Sequence, residues 1–349
     1  MSTILITAGG TGGHMFPAIA VAEAAIAKGH KILFITDKRA AKYLDKYPNI
    51  TKKIIFAASP SGGIFKKLKG TFLLGLGFIQ SLFLLLCYKP SQAYGFGGYP
   101  SFPALLAAKV FGKRIILHEQ NAVFGRANKV LAKWASKIAT SFADTKNIPT
   151  EFANKVTHTG NPVRAEIIAL HNKKYQSPED KINLLILGGS LGSKIFNNIP
   201  AALQLLPDEL KSMLVITHQV RAENIDKVNK AYKDIGIKAN TASFFDNMPD
   251  LLTNTHIMIA RSGASTVAEN LVAGIPSIFV PLKIAMDNHQ QYNAEYVVNN
   301  AGGAMILESE YTTEILALKL QVLLEQDLLK ISSNMQNLAI LDSANQILS

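Results

Sequence analysis

The sequence predicts an α/β protein made of two doubly wound parallel-sheet domains. Short apolar strand segments alternate with helical ones along most of the chain, a glycine-rich strand-to-helix turn occurs twice in matching form, and 349 residues is about the length of two domains. Hydrophobic residues make up 48% and charged residues 17%, which excludes a disordered chain. The excess of 36 basic over 25 acidic residues, a net charge of +11, points to an anionic partner. The lone Cys87 rules out a disulfide framework and a Cys-based zinc site, and fits a reducing compartment.

In order along the chain, Ile4–Thr7 reads as the first strand, since no basic residues precede its apolar run as they would in a signal peptide. Pro17–Lys28 carries helical spacing and stops at Gly29. Lys31–Thr36, Lys53–Ala57, Arg114–His118, Lys137–Thr140 and Lys155–His158 follow as strands. The polar stretch His171–Lys181 is the expected linker. Beyond it the pattern restarts with strand Ile182–Leu187, a turn at 188–192, helix Ile195–Leu206, strand Ile257–Ala260, helix Val267–Ala273 and strand Pro276–Val280. Gly9, Gly10 and Gly13 align with Gly188, Gly189 and Gly192, and Thr11 aligns with Ser190. In such sheets ligands bind beyond the carboxyl ends of the strands, so a cleft between the domains is the expected site. Leu328–Ile347 reads as one last helix, long enough to pack back on the first domain.

The turn Gly9-Gly10-Thr11-Gly12-Gly13-His14 opens a helix whose first N–H groups favour an anion. With Asp37 after the second strand it raises a dinucleotide-binding reading, but the third glycine of G-x-G-x-x-G falls on Met15. An NAD(P)-dependent oxidoreductase is therefore the main rival, and a non-catalytic nucleotide-binding module on the membrane is a third reading. No aromatic-basic RNA motif accompanies the charge, so nucleic acid is not expected. Ser265 and Thr266 stand where a helix begins, and Glu269, three residues beyond Thr266, shares its face and suits a ribose diol. His118-Glu119-Gln120-Asn121 and Asp287–Asn293 are polar runs after strands. There is no D-x-D and no convincing ligand spacing, so no metal is expected.

Thr71–Tyr88 is the most apolar segment. It could extend about 27 Å as a helix, marginal for a membrane span. Gln80-Ser81 in its middle and the strands on either side favour a helix with one face in the core and the other on lipid. Phe72 and Leu76 belong to that face, and Lys66, Lys67 and Lys69 make a basic rim for anionic headgroups.

Taken together, Gly-Gly-Thr-Gly-Gly-His at 9–14, Gly-Gly-Tyr at 97–99, His-Glu-Gln-Asn at 118–121, Gly-Asn-Pro-Val-Arg at 160–164, Gly-Gly-Ser-Leu-Gly at 188–192 and Arg-Ser-Gly-Ala at 261–264 resemble the MurG family of peptidoglycan glycosyltransferases. The resemblance implies the GT-B architecture, two Rossmann-like domains facing a cleft. The first, 1–162, would take the lipid acceptor and the membrane, the second, 163–327, would take UDP-N-acetylglucosamine, and 328–349 would return to the first. It implies transfer of N-acetylglucosamine, with inversion, to the 4-hydroxyl of the lipid-linked muramyl-pentapeptide, peripherally at the cytoplasmic face of the plasma membrane. Carried over by motif, Arg164 and Ser190 meet the donor diphosphate, and Ala264, Ser265 and Thr266 meet the nucleotide-sugar phosphates. Phe245 lies by the uracil, Glu269 on the ribose, and Asn121 with Gln290 or Gln291 near the sugar. Thr11, Gly12 and Gly13 line the facing wall. Ser265 departs from the bulkier apolar residue usual in the family, and Lys109 from an aromatic found in some members. His14 and Glu119 are the two candidate bases, and no cofactor or metal is required.

Overall fold

Seven parallel strands form the first sheet of the computed structural model, which describes residues 2–58, 63–189 and 192–349. They are β1 (Thr3–Thr7), β2 (Lys31–Thr36), β3 (Ile50–Ile54), β4 (Gln92–Gly95), β5 (Arg114–Glu119), β6 (Lys137–Thr140) and β7 (Val156–His158), in spatial order β3-β2-β1-β4-β5-β6-β7. The central strands are almost uninterrupted Ile, Leu and Phe because both faces are covered, as a parallel sheet requires. One face packs on α1 (Gly12–Ala27), with Met15, Ile19 and Val21 against Ile4, Ile6 and Phe34. The other packs beneath α2 (Ile64–Tyr88) and α3 (Ser101–Val110), where Leu85, Ala104 and Leu105 meet Leu5, Leu33 and Leu117.

A second sheet has six parallel strands: β8 (Ile182–Leu187), β9 (Leu214–Gln219), β10 (Ala239–Ala242), β11 (Ile257–Ala260), β12 (Ser277–Phe279) and β13 (Ala304–Met305), ordered β10-β9-β8-β11-β12-β13. Order reverses beside β1 in the first sheet and beside β8 in the second, the switch points at which doubly wound sheets bind ligands.

The chain divides into residues 1–164 with 340–349, and residues 165–339. Three expectations change. The stretch 171–181 is no linker: it lies within the second unit, where the Tyr175 hydroxyl donates to the His256 carbonyl at 2.9 Å. The crossing falls instead after Arg164, behind the buried residues 159–163 and two residues beyond the 162/163 boundary that the resemblance implies. Leu328–Ile347 is two helices, because Ala339 turns extended. Leu328–Leu338 packs within the second unit against the helices Ala264–Ala273 and His289–Ala301. Only Ser343–Leu348 joins the first unit, where Ile347 enters the core beside α1 and Lys137 Nζ donates to the Gln346 carbonyl at 2.6 Å. Third, β3 lies three residues earlier than the Lys53–Ala57 expected, since Ile50 supplies the inward residue next to β2.

The two glycine turns agree only in part. Gly10 and Gly189 both have positive φ, 89° and 79°, as their alignment implies. Gly13 is inside α1, whereas Gly192 is left-handed at 67° and helical structure resumes only at Lys194. Ser190 lies outside the described residues.

The helix α2 runs for 25 residues and meets the length and composition of a membrane span. Gly70, Gly77, Ser81 and Leu85 form its buried stripe. Gly77 lies on the Phe56 carbonyl, and Gln80 Oε1 accepts from Phe56 N at 2.8 Å, which tethers the helix to the segment after β3. The opposite face leaves Ile64, Phe65, Leu68, Phe72, Ile79, Phe83 and Leu86 exposed. Lys66, Lys67 and Lys69 are exposed too, while Leu76 is half-buried at the flank.

Candidate active site

In the first unit the polar loops gather at the carboxyl ends of β1, β4 and β5. The turn after β1 and the turn after β4 meet backbone to backbone. A Cβ on Gly98, whose φ is 81°, would stand 2.5 Å from the Gly9 carbonyl oxygen, so only glycine allows the approach. Ser101 Oγ donates to Gly97 O at 2.6 Å and locks the second turn. Thr11 is the exposed residue before α1, and its carbonyl accepts from His14 N at 3.1 Å and Met15 N at 3.2 Å. Gly12 and Gly13 open the helix, with Gly12 so close to the Phe16 ring that a Cβ would meet it at 2.8 Å. Arg164 belongs to this unit, and its guanidinium stacks over Phe16 at 5.2 Å.

The two candidate bases are set apart by their surroundings. Glu119 is buried, and its carboxylate accepts from Gly125 N and Asn128 Nδ2, each at 2.8 Å, and from Asn121 N at 3.1 Å and Asn121 Nδ2 at 3.4 Å. Burial lifts its pKa above the usual carboxylate range, while the four donors pull the other way. A carboxylate so engaged organises the loop 119–128, and it holds Asn121 in place. His14 is half-buried, with Nδ1 at 3.3 Å from Gln120 Oε1 and Gly97 against its ring. An imidazole at the start of α1, facing the loops at the strand ends, suits a general base.

Asp37 does not bind a ribose here. Its two carboxylate oxygens accept from Gly10 N at 3.0 Å and Ala40 N at 2.8 Å, and the residue is buried. The acid that supported the dinucleotide reading is spent on holding the first glycine turn.

In the second unit the described candidate residues lie after β10, β11 and β12. Gln219, at the end of β9, accepts from Gly188 N at 3.1 Å and donates to Ser243 O at 3.3 Å, tying the glycine turn to the loop that carries half-buried Phe245. After β11 the helix Ala264–Ala273 begins with buried Ala264 and partly exposed Ser265 and Thr266, and Glu269 is half-buried one turn on. Arg261, buried just before it, donates to Val280 O at 2.9 Å, Pro281 O at 3.1 Å and Ser193 Oγ at 2.8 Å, and pairs with Glu308 at 3.0 Å. Ser262 Oγ donates to Gln290 O at 2.7 Å, and Gln290 Oε1 accepts from Leu282 N at 3.1 Å. Gln290 is therefore the glutamine tied to this turn, while Gln291 points along its own helix to Glu295 at 2.8 Å. The sequence reading missed Arg261 and Glu308 as a brace, because the pair is 47 residues apart and joined only through the fold. Among the described residues no cluster of three or more His, Cys, Asp or Glu could hold a metal.

Comparisons with known proteins assign the chain to a family. The N-terminal domain of glycosyltransferase family 28 matches residues 4–140 and the family's C-terminal domain matches residues 183–347. A Rhodospirillum centenum protein named UDP-N-acetylglucosamine--N-acetylmuramyl-(pentapeptide) pyrophosphoryl-undecaprenol N-acetylglucosamine transferase is 42% identical over 93% of this chain and 86% of its own length. The chain belongs to this transferase family. A Caulobacter vibrioides member is 39% identical over 92% of this chain and 90% of its own length. The crystal structure of Acinetobacter baumannii MurG, at 28% identity, aligns over 100% of this chain and 98% of that one with a TM-score of 0.78. Both parallel-sheet domains of the GT-B architecture are thus those of the transferase family.

Proposed function

We propose that the protein transfers N-acetylglucosamine from UDP-N-acetylglucosamine to the 4-hydroxyl of lipid-linked N-acetylmuramyl-pentapeptide. The observation that carries this reading is the start of the helix Ala264–Ala273, where Ser265, Thr266 and Glu269 stand at the carboxyl end of β11 on a turn braced by Arg261. Helix N–H groups and hydroxyls suit a diphosphate, and a carboxylate one turn further suits the ribose hydroxyls. The second unit takes the donor and the first the acceptor. His14 removes the proton from the attacking hydroxyl, the new C–O bond forms at the anomeric carbon with inversion, and UDP leaves with the electron pair of the broken bond. Helix N-termini and Arg164 supply the charge stabilisation, so turnover persists in EDTA.

Titration calorimetry tests the donor reading: UDP and UDP-N-acetylglucosamine bind, NADH and ADP do not, and Glu269→Ala weakens UDP by about 1–3 kcal/mol. Binding of NADH alone would abandon the transferase. The lipid acceptor is met at the cytoplasmic face of an anionic membrane, a reading supported by the exposed apolar face of α2 beside Lys66, Lys67 and Lys69. Changing those three lysines to glutamate lowers binding to anionic vesicles and leaves turnover of a short-chain, water-soluble acceptor nearly intact. Unchanged vesicle binding with lost soluble turnover would overturn that role.

A further inference from the structure

A directed chain of hydrogen bonds runs from His14 through Gln120 and His118, and its direction is set by two backbone carbonyls that can only accept, Phe96 O and Gly160 O. Phe96 O lies 2.9 Å from Gln120 Nε2, which fixes the amide with its nitrogen toward Phe96 and its oxygen toward His14. An amide oxygen only accepts, so His14 Nδ1 carries the hydrogen of the 3.3 Å contact. At the far end His118 Nε2 lies 3.2 Å from Gly160 O, which can only accept, so Nε2 carries the hydrogen and Ser141 Oγ, 3.3 Å away, faces it as an acceptor. His118 Nδ1 is then an acceptor and takes the second Gln120 hydrogen at 3.1 Å, shared with His118 O at 3.3 Å. His118 and Gln120 are both buried, and the Phe96 ring lies 5.3 Å from that of His118.

We propose that Gln120 and His118 are positioning residues that hold His14 in the Nδ1–H tautomer, with the lone pair on Nε2 to receive the acceptor hydroxyl's proton. This rests on His14 being the base. Burial lowers the His118 pKa to about 4, so its ring stays neutral and keeps accepting. On proton transfer the hydroxyl O–H bond breaks, an N–H bond forms at Nε2, and Nδ1–H remains on Gln120 Oε1. Unlike the carboxylate of a Ser-His-Asp triad, a neutral amide orients the imidazole without adding a full charge to stabilise the imidazolium.

The direct test is the nitrogen-15 spectrum of the full chain labelled at histidine, which distinguishes the two tautomers, with the His14 signals identified by their loss in His14→Gln. The expected result is Nδ1–H at His14 and Nε2–H at His118. Gln120→Met then mixes the tautomers at His14 and lowers kcat about tenfold or more, with donor KM changed less than twofold. Nε2–H at His14 in the unmodified protein overturns the proposal whatever the variants do. The expected tautomers together with full kcat in His14→Gln overturn instead the role of His14 as base, and with it any catalytic purpose for the chain.

Discussion

The two units brace their loops through different charged side chains. In the first, buried carboxylates accept from backbone donors: Asp37 takes Gly10 N and Ala40 N, and Glu119 takes Gly125 N and Asn121 N. In the second, a buried guanidinium donates to backbone acceptors, as Arg261 takes Val280 O and Pro281 O, while Gln219 and Glu308 still accept from Gly188 N and Lys283 N. A carboxylate brace weakens when acid protonates it, whereas a guanidinium brace keeps its charge at every accessible pH.

Removing the donor brace has the largest expected effect. Arg261→Met leaves Glu308 and two carbonyls without their partner, and costs about 3–5 kcal/mol, measured as a lower urea midpoint for the second unit. A loss below 1 kcal/mol would show that the brace is not what holds this turn. Breaking the acceptor brace comes next. Glu119→Gln turns an –NH₂ toward backbone and Asn128 donors, and costs about 2–3 kcal/mol in unfolding experiments. Its kcat falls less than that of His14→Gln, which loses 100-fold or more. Full stability with abolished turnover would instead make Glu119 the base.

The smallest effect sharpens the likeness between the units. Each has a buried neutral histidine, His118 with its pKa lowered to about 4 and His218 with its pKa lowered to about 3, both chiefly by burial. The unfolded chain binds these protons near pH 6.5 and the native state does not, so stability is full above that pH and falls as pH drops below it. Between pH 6.5 and 5 each group withdraws about 2 kcal/mol. Denaturation at the two pH values checks this, and His218→Phe is expected to remove part of the dependence, the rest coming from His118 and from His256 and His289, whose pKa values burial also lowers. Stability independent of pH across that window would mean neither ring is kept neutral by the fold.

The strands were readable because a sheet covered on both faces needs runs such as Ile-Leu-Ile and Leu-Leu-Ile-Leu, which few other structures need. The linker was not, although the boundary at 162/163 that the resemblance implies falls two residues from the observed division. Residues 171–181 are polar yet anchored by Tyr175, whereas the crossing after Arg164 follows a buried Gly-Asn-Pro-Val segment that lacks the polarity expected of a linker. The break at Ala339 has no glycine or proline to announce it. At the site, the polar run 118–121 was evident as a cluster after a strand, but its roles were not. His14 and Gln120 are 106 positions apart, and only the folded sheet brings them together. Asp37 misled for a related reason: an acid after the second strand has one sequence signature whether it meets a ribose or its own backbone.

The return of residues 340–349 to the first unit also sets an order of events during synthesis. Ile347 is part of the core that α1 covers, and Tyr94 Oη donates to the Leu348 carbonyl at 3.4 Å, so residues 1–164 alone lack one wall. The whole of 165–339 is translated before that wall exists. At about 5–20 residues per second the nascent first unit waits on the order of ten to thirty seconds with an apolar seam uncovered. Over that interval it is a natural client for a chaperone, and its final closure coincides with completion of the second unit rather than preceding it.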